Sequence, residues 1–134
     1  MSSFYVDYEN VHLSGLTGIE SLHKSDQVII YCHDEDVMRI HCFVADCKVK
    51  AKVRCRIVNA TTKNALDFQM ITELSLFEKK NHLIFIISND HGYDASIKTL
   101  QENSHFVFRK SAIDADFNFD CSNIGKLPQS YSIN

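Results

Sequence analysis

Four aspartates fall where an apolar segment ends or a helix-patterned one begins: Asp7, Asp67, Asp90 and Asp94. Asp7 closes the run SFYVD and is followed by Glu9 and Asn10. Asp90 follows the run HLIFII directly, in Ser88-Asn89-Asp90, and Asp94 comes shortly after it. Asp67 lies in the first turn of an apolar-striped segment. A lone aspartate at such a place suits a turn or a helix cap. Several in one cleft repel each other, which costs stability unless a cation neutralises them. All-oxygen donors of this kind suit Mg²⁺ or Mn²⁺, and a cation so held can activate water for hydrolysis.

The elements that must bring these acids together alternate strand with helix. Ser3 to Asp7 reads as a first strand, and Thr17-Gly18-Ile19-Glu20 has the form of a capping box for a short helix over Gly18 to His23. Gln27 to Tyr31 is apolar throughout, as in a strand buried on both faces. Asp34, Glu35 and Asp36 load the start of a second helix, which runs to about Asp46. Val49 to Val58 alternates strictly and predicts a third strand. Thr61, Thr62 and Asn64 are candidate caps for a helix to about Lys79, with Leu66, Met70, Leu74 and Phe77 as its buried stripe. His82 to Ile87 is a fourth strand, Tyr93, Ile97 and Leu100 mark a short helix, and His105 to Phe108 a fifth strand. Ser111 to Phe117 is read as one more helix. The fold class expected is a three-layer α/β/α sandwich around a mostly parallel five-stranded sheet. It spans residues 1–120, and a polar tail over 121–134 carries the single proline. In such sheets ligands bind beyond the carboxyl ends of the strands, and the four acids all fall on that edge.

Other chemistries of this architecture lack their signatures. There is no G-x-G-x-x-G after strand one, no G-K-[ST] and no G-x-S-x-G nucleophile turn. The five cysteines include no C-x-x-C pair, and the odd count reads as reduced thiols rather than a disulfide frame or zinc knuckles.

Three blocks stand in register with the alternation: VDYENV (6–11), KNALDFQ (63–69) and ISNDHGYD (87–94). They resemble the three motif blocks of PIN-like nucleases, particularly the NYN group, from the first strand to about Leu100. Asp7 and Asn10 are similar to its D-x-x-N signature, Lys63 and Asp67 to its K-x-x-x-D block, and Ser88 and Asp90 to its S-x-D block. The resemblance implies strand order 3-2-1-4-5 and metal-dependent endonuclease activity, usually on RNA. It implies one or two Mg²⁺ or Mn²⁺ ions held by Asp7 and Asp90, with Asp67 and Asp94 completing the site. Asn10 and Ser88 would orient carboxylates or waters, and Lys63 would contact the scissile phosphate. Many relatives continue S-x-D-x-D-F, whereas here Gly92 takes the second aspartate position and Tyr93 the aromatic one. Asp94 is then the substitute ligand; the alternative is a catalytically weakened module that binds RNA or a protein partner, such as a toxin or phage-defence component. Asp114-Ala115-Asp116-Phe117 imitates the missing motif but follows strand five, and is read as a decoy.

Charge adds a second feature. The formal balance is −3, superficially unfavourable for a nucleic-acid partner. Yet Lys48, Lys50, Lys52, Arg54 and Arg56 occupy every second position of the third strand, which gives it one wholly basic face. That face is either a track for a phosphate backbone or a guard against edge-to-edge strand pairing. A second copy of the chain or another protein is a further candidate partner. No apolar stretch is long enough for a bilayer, and MSSFYVDYEN is not a secretion leader, so the expectation is a soluble, cytoplasmic protein without a membrane partner.

Overall fold

Five strands, β1 (Ser2–Asp7), β2 (Gln27–Cys32), β3 (Lys52–Ile57), β4 (Leu83–Ile87) and β5 (Phe106–Lys110), form one sheet in the order β3-β2-β1-β4-β5. Every neighbouring pair is parallel, as crossover connections through helices require. The computed structural model describes residues 1–59 and 62–126. Four helices flank the sheet: α1 (Tyr8–Val11), α2 (Val37–Asp46), α3 (Ala65–Phe77) and α4 (Asp94–Glu102). The period of two along each strand splits the core. Phe4, Val6, Val28, Ile30, Phe85 and Ile87 pack with Val11, Leu16 and Ile40 on one face. Tyr5, Ile29, Ile84 and Ile86 pack under Leu66, Met70 and Leu74 of α3 and Ile97 of α4 on the other. The α/β/α sandwich and the strand order 3-2-1-4-5 are therefore as expected.

Several elements differ from the sequence reading. The third strand begins at Lys52 rather than Val49, because its partner β2 begins at Gln27 and Gln27 pairs with Lys52. Lys48 has φ +51° and, with Lys50, precedes the ladder. The Thr17–Glu20 capping box does not form: Thr17 donates its hydroxyl to the Ser14 carbonyl, and only a 3-10 turn, Ile19–Ser21, follows. Gly18 opens that turn at φ +94°, where a Cβ would stand 2.4 Å from Asp114 Cβ, so both its backbone freedom and its lack of a side chain are used. Residues 111–117 are not helical. Ile113 and Asp114 donate their amides to the Gly15 and Thr17 carbonyls, and the Lys110 ammonium, lying over the Phe85 ring, donates to the Ile113 carbonyl. In α3, Leu66, Met70 and Leu74 are buried, but Phe77 is 68% exposed. Asn64 precedes α3 at φ +64° without a side-chain cap bond, and Thr61 lies outside the described residues. Beyond β5, the Gly125 amide donates to the Gln101 carbonyl at the end of α4; the tail from 127 on, with its proline, lies outside the described residues. No helix among the described residues is long and apolar enough to cross a membrane.

Candidate active site

The chain reverses direction across the sheet between β1 and β4: β2 and β3 are laid to one side of β1, β4 and β5 to the other. Loops leaving β1 and β4 diverge there and open a crevice at the carboxyl ends of the strands. Asp7 is the last residue of β1, and Asp90 stands three residues past the end of β4. The α3 helix crosses above with Asp67 in its first turn. Asp7, Asp67 and Asp90, together with Glu9, Asn10 and Asn64, line one cavity of about 190 Å³.

Asp7 is the enclosed member, 3% exposed. Its carboxylate accepts from the Asn10 amide at 3.3 Å, the Ser88 hydroxyl at 3.1 Å and the Tyr93 hydroxyl at 3.0 Å. Ser88 in turn accepts from the Asp90 amide, and Asp90 accepts from the Gly92 amide at 2.8 Å, which fixes the turn after β4. The Asn10 side-chain oxygen accepts from the Asn89 amide at 2.8 Å and so ties the ends of β1 and β4 together. Burial pushes the Asp7 carboxyl above the usual carboxylate range, and the Asp67 charge adds to this against the three donors. Asp67 is likewise raised, first by burial and then by Asp90 and Glu9, against the hydrogen bond from Tyr93.

Tyr93 is a site residue that the three motif blocks do not single out. Its hydroxyl lies 3.0 Å from an oxygen of Asp7 and 3.0 Å from one of Asp67. A phenol carries one proton, so it satisfies one carboxylate at a time. Burial, then the two carboxylate charges, push its own ionisation well above that of an ordinary tyrosine, so it is present as the neutral donor. The only sequence signal for this role is a tyrosine rather than a phenylalanine at the aromatic position.

Asp94 does not line the acidic cavity; its carboxylate is held by Arg109 of β5 at 3.0 Å and by His91 at 3.0 Å. Its slight burial favours the neutral form, but the hydrogen bonds from His91 and Arg109 outweigh that and hold it below the usual range. Arg109 also donates to the Ser88 carbonyl, so the trio braces the β4 turn from behind. Lys63 lies in an adjoining cavity of about 710 Å³ that shares Glu9 and Asn64 with the acidic one and also holds His33. His33 bridges Glu9 and the Val58 carbonyl through its two ring nitrogens. Asp114 packs on Gly18, away from these acids. Along β3, Lys52, Arg54 and Arg56 are exposed, and Arg56 forms a two-pronged pair with Glu73 of α3.

The donor set of the cavity is all oxygen, three carboxylates with a fourth at Glu9 and two amide side chains, and its chemistry fits a hard divalent ion. Among the described residues, however, no three His, Cys, Asp or Glu side chains stand together as a ready metal cluster. The Tyr93 hydroxyl occupies the place between Asp7 and Asp67. The family model described as a PIN domain, PIN7, matches residues 1–109, which include all of these positions. Neither a curated protein nor a solved structure matches the chain.

Proposed function

The chain belongs to the PIN-domain family, whose fold supports a nuclease-type activity, and from that premise we propose that it is a divalent-metal-dependent endonuclease cutting single-stranded RNA. The observation that carries this reading is the meeting of Asp7, Asp67 and Asp90, from three separate elements, in one cavity at the reversal point of the sheet. Asp7 and Asp90 are the residues assigned to hold Mg²⁺ or Mn²⁺, with Asp67 beside them. When bound, the ion supplies Lewis-acid stabilisation of the phosphate and a more acidic water. Ser88 and Asn10 keep the two principal carboxylates in place, through the Ser88 hydroxyl on Asp7 and the Asn10 tie to the β4 turn. Tyr93 donates its one proton to either Asp7 or Asp67. Lys63, in the adjoining cavity, meets a phosphate of the strand, and the exposed Lys52 and Arg54 extend the positive charge along the sheet edge.

A second reading, a module that binds RNA or a protein without cutting, is favoured by one observation. The family's second aspartate position is Gly92, and the neighbouring Asp94 is committed to Arg109. One experiment separates them. Purified protein is incubated with single-stranded RNA, single-stranded DNA and duplexes in Mn²⁺, Mg²⁺ or EDTA, alongside Asp7→Asn and Asp90→Asn. The endonuclease reading expects RNA cutting that needs the metal and drops at least about a hundredfold in either variant. Cutting that survives both substitutions sinks it, and RNA binding without cutting selects the second reading.

A further inference from the structure

Next to the acidic cavity, and sharing Asn64, Asp67 and Asp90 with it, is a second cavity of about 350 Å³ between α3 and the turn after β4. Its walls differ in chemistry from the acidic one: Phe68 and Ile71 of α3 face Gly92 and Tyr93, with the hydroxyls of Thr72 and Ser96 at the rim. Phe68 is 70% exposed, so a large ring stands at the mouth of the cavity where the fold gains nothing from hiding it. Among the described residues no lysine or arginine lines this space, and Asp67 and Asp90 do, so it repels a phosphate. Gly92 lines it without a side chain, and a Cβ there would lie 3.0 Å from Asp90 Oδ1.

We propose that this cavity is the seat of one unstacked nucleobase of the strand being cut, with the Phe68 ring as its stacking surface. The proposal rests on the endonuclease reading and gives that site its substrate geometry. A phosphodiester placed at Asp7 and Asp90 has its neighbouring nucleoside beside Asn64 and Asp67, at the cavity mouth. A flat, uncharged, aromatic heterocycle suits such walls, because every base presents a π-face to an aromatic ring. Its edge donors and acceptors meet Asn64, Ser96 and the free lone pair of Thr72, whose hydroxyl proton is already given to the Phe68 carbonyl. The volume lies in the range of small-ligand pockets and admits a single ring system with its sugar. A base paired in a duplex cannot turn out into it without unstacking, so the cavity selects single strands.

The test uses the full chain and a short single-stranded RNA with one central 2-aminopurine, in Ca²⁺ so that binding is read without cutting. Fluorescence is followed in the wild type, Phe68→Ala, Phe68→Trp and Leu76→Ala, the last an exposed apolar residue of α3 that does not line the cavity. Stacking quenches 2-aminopurine in the wild type and Leu76→Ala, and more strongly in Phe68→Trp. In Phe68→Ala the quench is lost and Kd rises about tenfold or more. The same oligonucleotide in a duplex, already quenched by its stacked neighbours, shows no further change when the protein is added. Equal quench and Kd in Phe68→Ala and wild type would overturn the subsite, as would no binding by the wild type. So would a Phe68→Ala variant whose sole change is loss of self-association, which would mark the ring as a protein interface. Cutting in Mn²⁺ is scored separately. If the wild type cuts RNA but the Phe68 series is flat, the subsite falls and the endonuclease stands. If nothing is cut but the quench series holds, the endonuclease falls and the cavity is the base seat of a module that binds RNA without cutting it.

Discussion

At the scale of single residues, the two carboxylates of Asp7 and Asp67 compete for one hydroxyl proton. Tyr93 is 3% exposed, and its ring is packed whether or not the oxygen is present. Tyr93→Phe therefore isolates the hydrogen bond: the ring stays, and Asp7 is left with the Ser88 hydroxyl and the Asn10 amide. Removing a donor from a buried carboxylate costs about 1–3 kcal/mol. The expected outcome is a lower melting temperature for Tyr93→Phe in EDTA, and a larger rise on adding Mn²⁺ than the wild type shows, since the cation takes over the missing neutralisation. Identical melts of the two proteins in EDTA would dismiss the hydroxyl as a contributor. Asp7 and Asp90 were legible in the sequence because a strand end is a local signal and the next residue must leave the sheet. Asp94 was not: its partner Arg109 lies 15 residues on, in another strand, and no local pattern announces a tertiary ion pair.

Elements were legible where their burial is complete and blurred where it is partial. β2 and β4 are covered on both faces, so their continuous apolar runs declared them. Alternation over Val49–Val58 overstated β3, because where a strand starts is decided by its neighbour, and β2 offers no partner before Gln27. Residues 111–117 carry a helix-like pattern, but their amides found carbonyls at Gly15 and Thr17 instead. The shortened β3 sharpens the question of its basic face. Lys52 and Arg54 lie exposed on the ladder, whereas Lys48 and Lys50 precede it and Arg56 is bound to Glu73. If the face follows a phosphate backbone, Lys52→Gln with Arg54→Gln should lower the salt dependence of RNA binding. The fall expected is about 0.7 in log–log slope for each phosphate no longer neutralised. Lys48→Gln should leave it nearly unchanged. Titrations of a single-stranded RNA in Ca²⁺ over a range of salt measure this. An unaltered slope in the double variant assigns these charges to blocking strand pairing at an open edge.

For the molecule as a whole, α3 matters most, because it carries both Asp67 and Phe68. Its outward residues Leu76 and Phe77 are exposed, so its attachment relies on the inner stripe and on Glu73. That carboxylate accepts two hydrogen bonds from the Arg56 Nε and Nη2 atoms and one from the Tyr31 hydroxyl at 2.7 Å, tying the helix to β3 and β2. The Arg56 guanidinium holds the Glu73 carboxyl below the usual range, against the effect of burial and with help from Tyr31. A carboxyl depressed in the folded state gives stability that is present above its unfolded value, about 4.3, and is lost as pH falls through the folded one. Glu73→Gln is accordingly expected to be less stable than the wild type at pH 7. The gap should begin to narrow as pH falls below the unfolded value of about 4.3 and close once pH has passed below the folded one, where Glu73 is neutral in both the folded and unfolded chain. Asp7 and Asp67 act in the opposite sense: raised in the fold, they withdraw stability as pH rises through their folded values. Urea midpoints of wild type and variant in EDTA from pH 7 to pH 3 separate the two effects, because the site acids are common to both proteins and cancel in the difference. A gap constant across that range would mean that Glu73 holds α3 by its shape alone, without its charge.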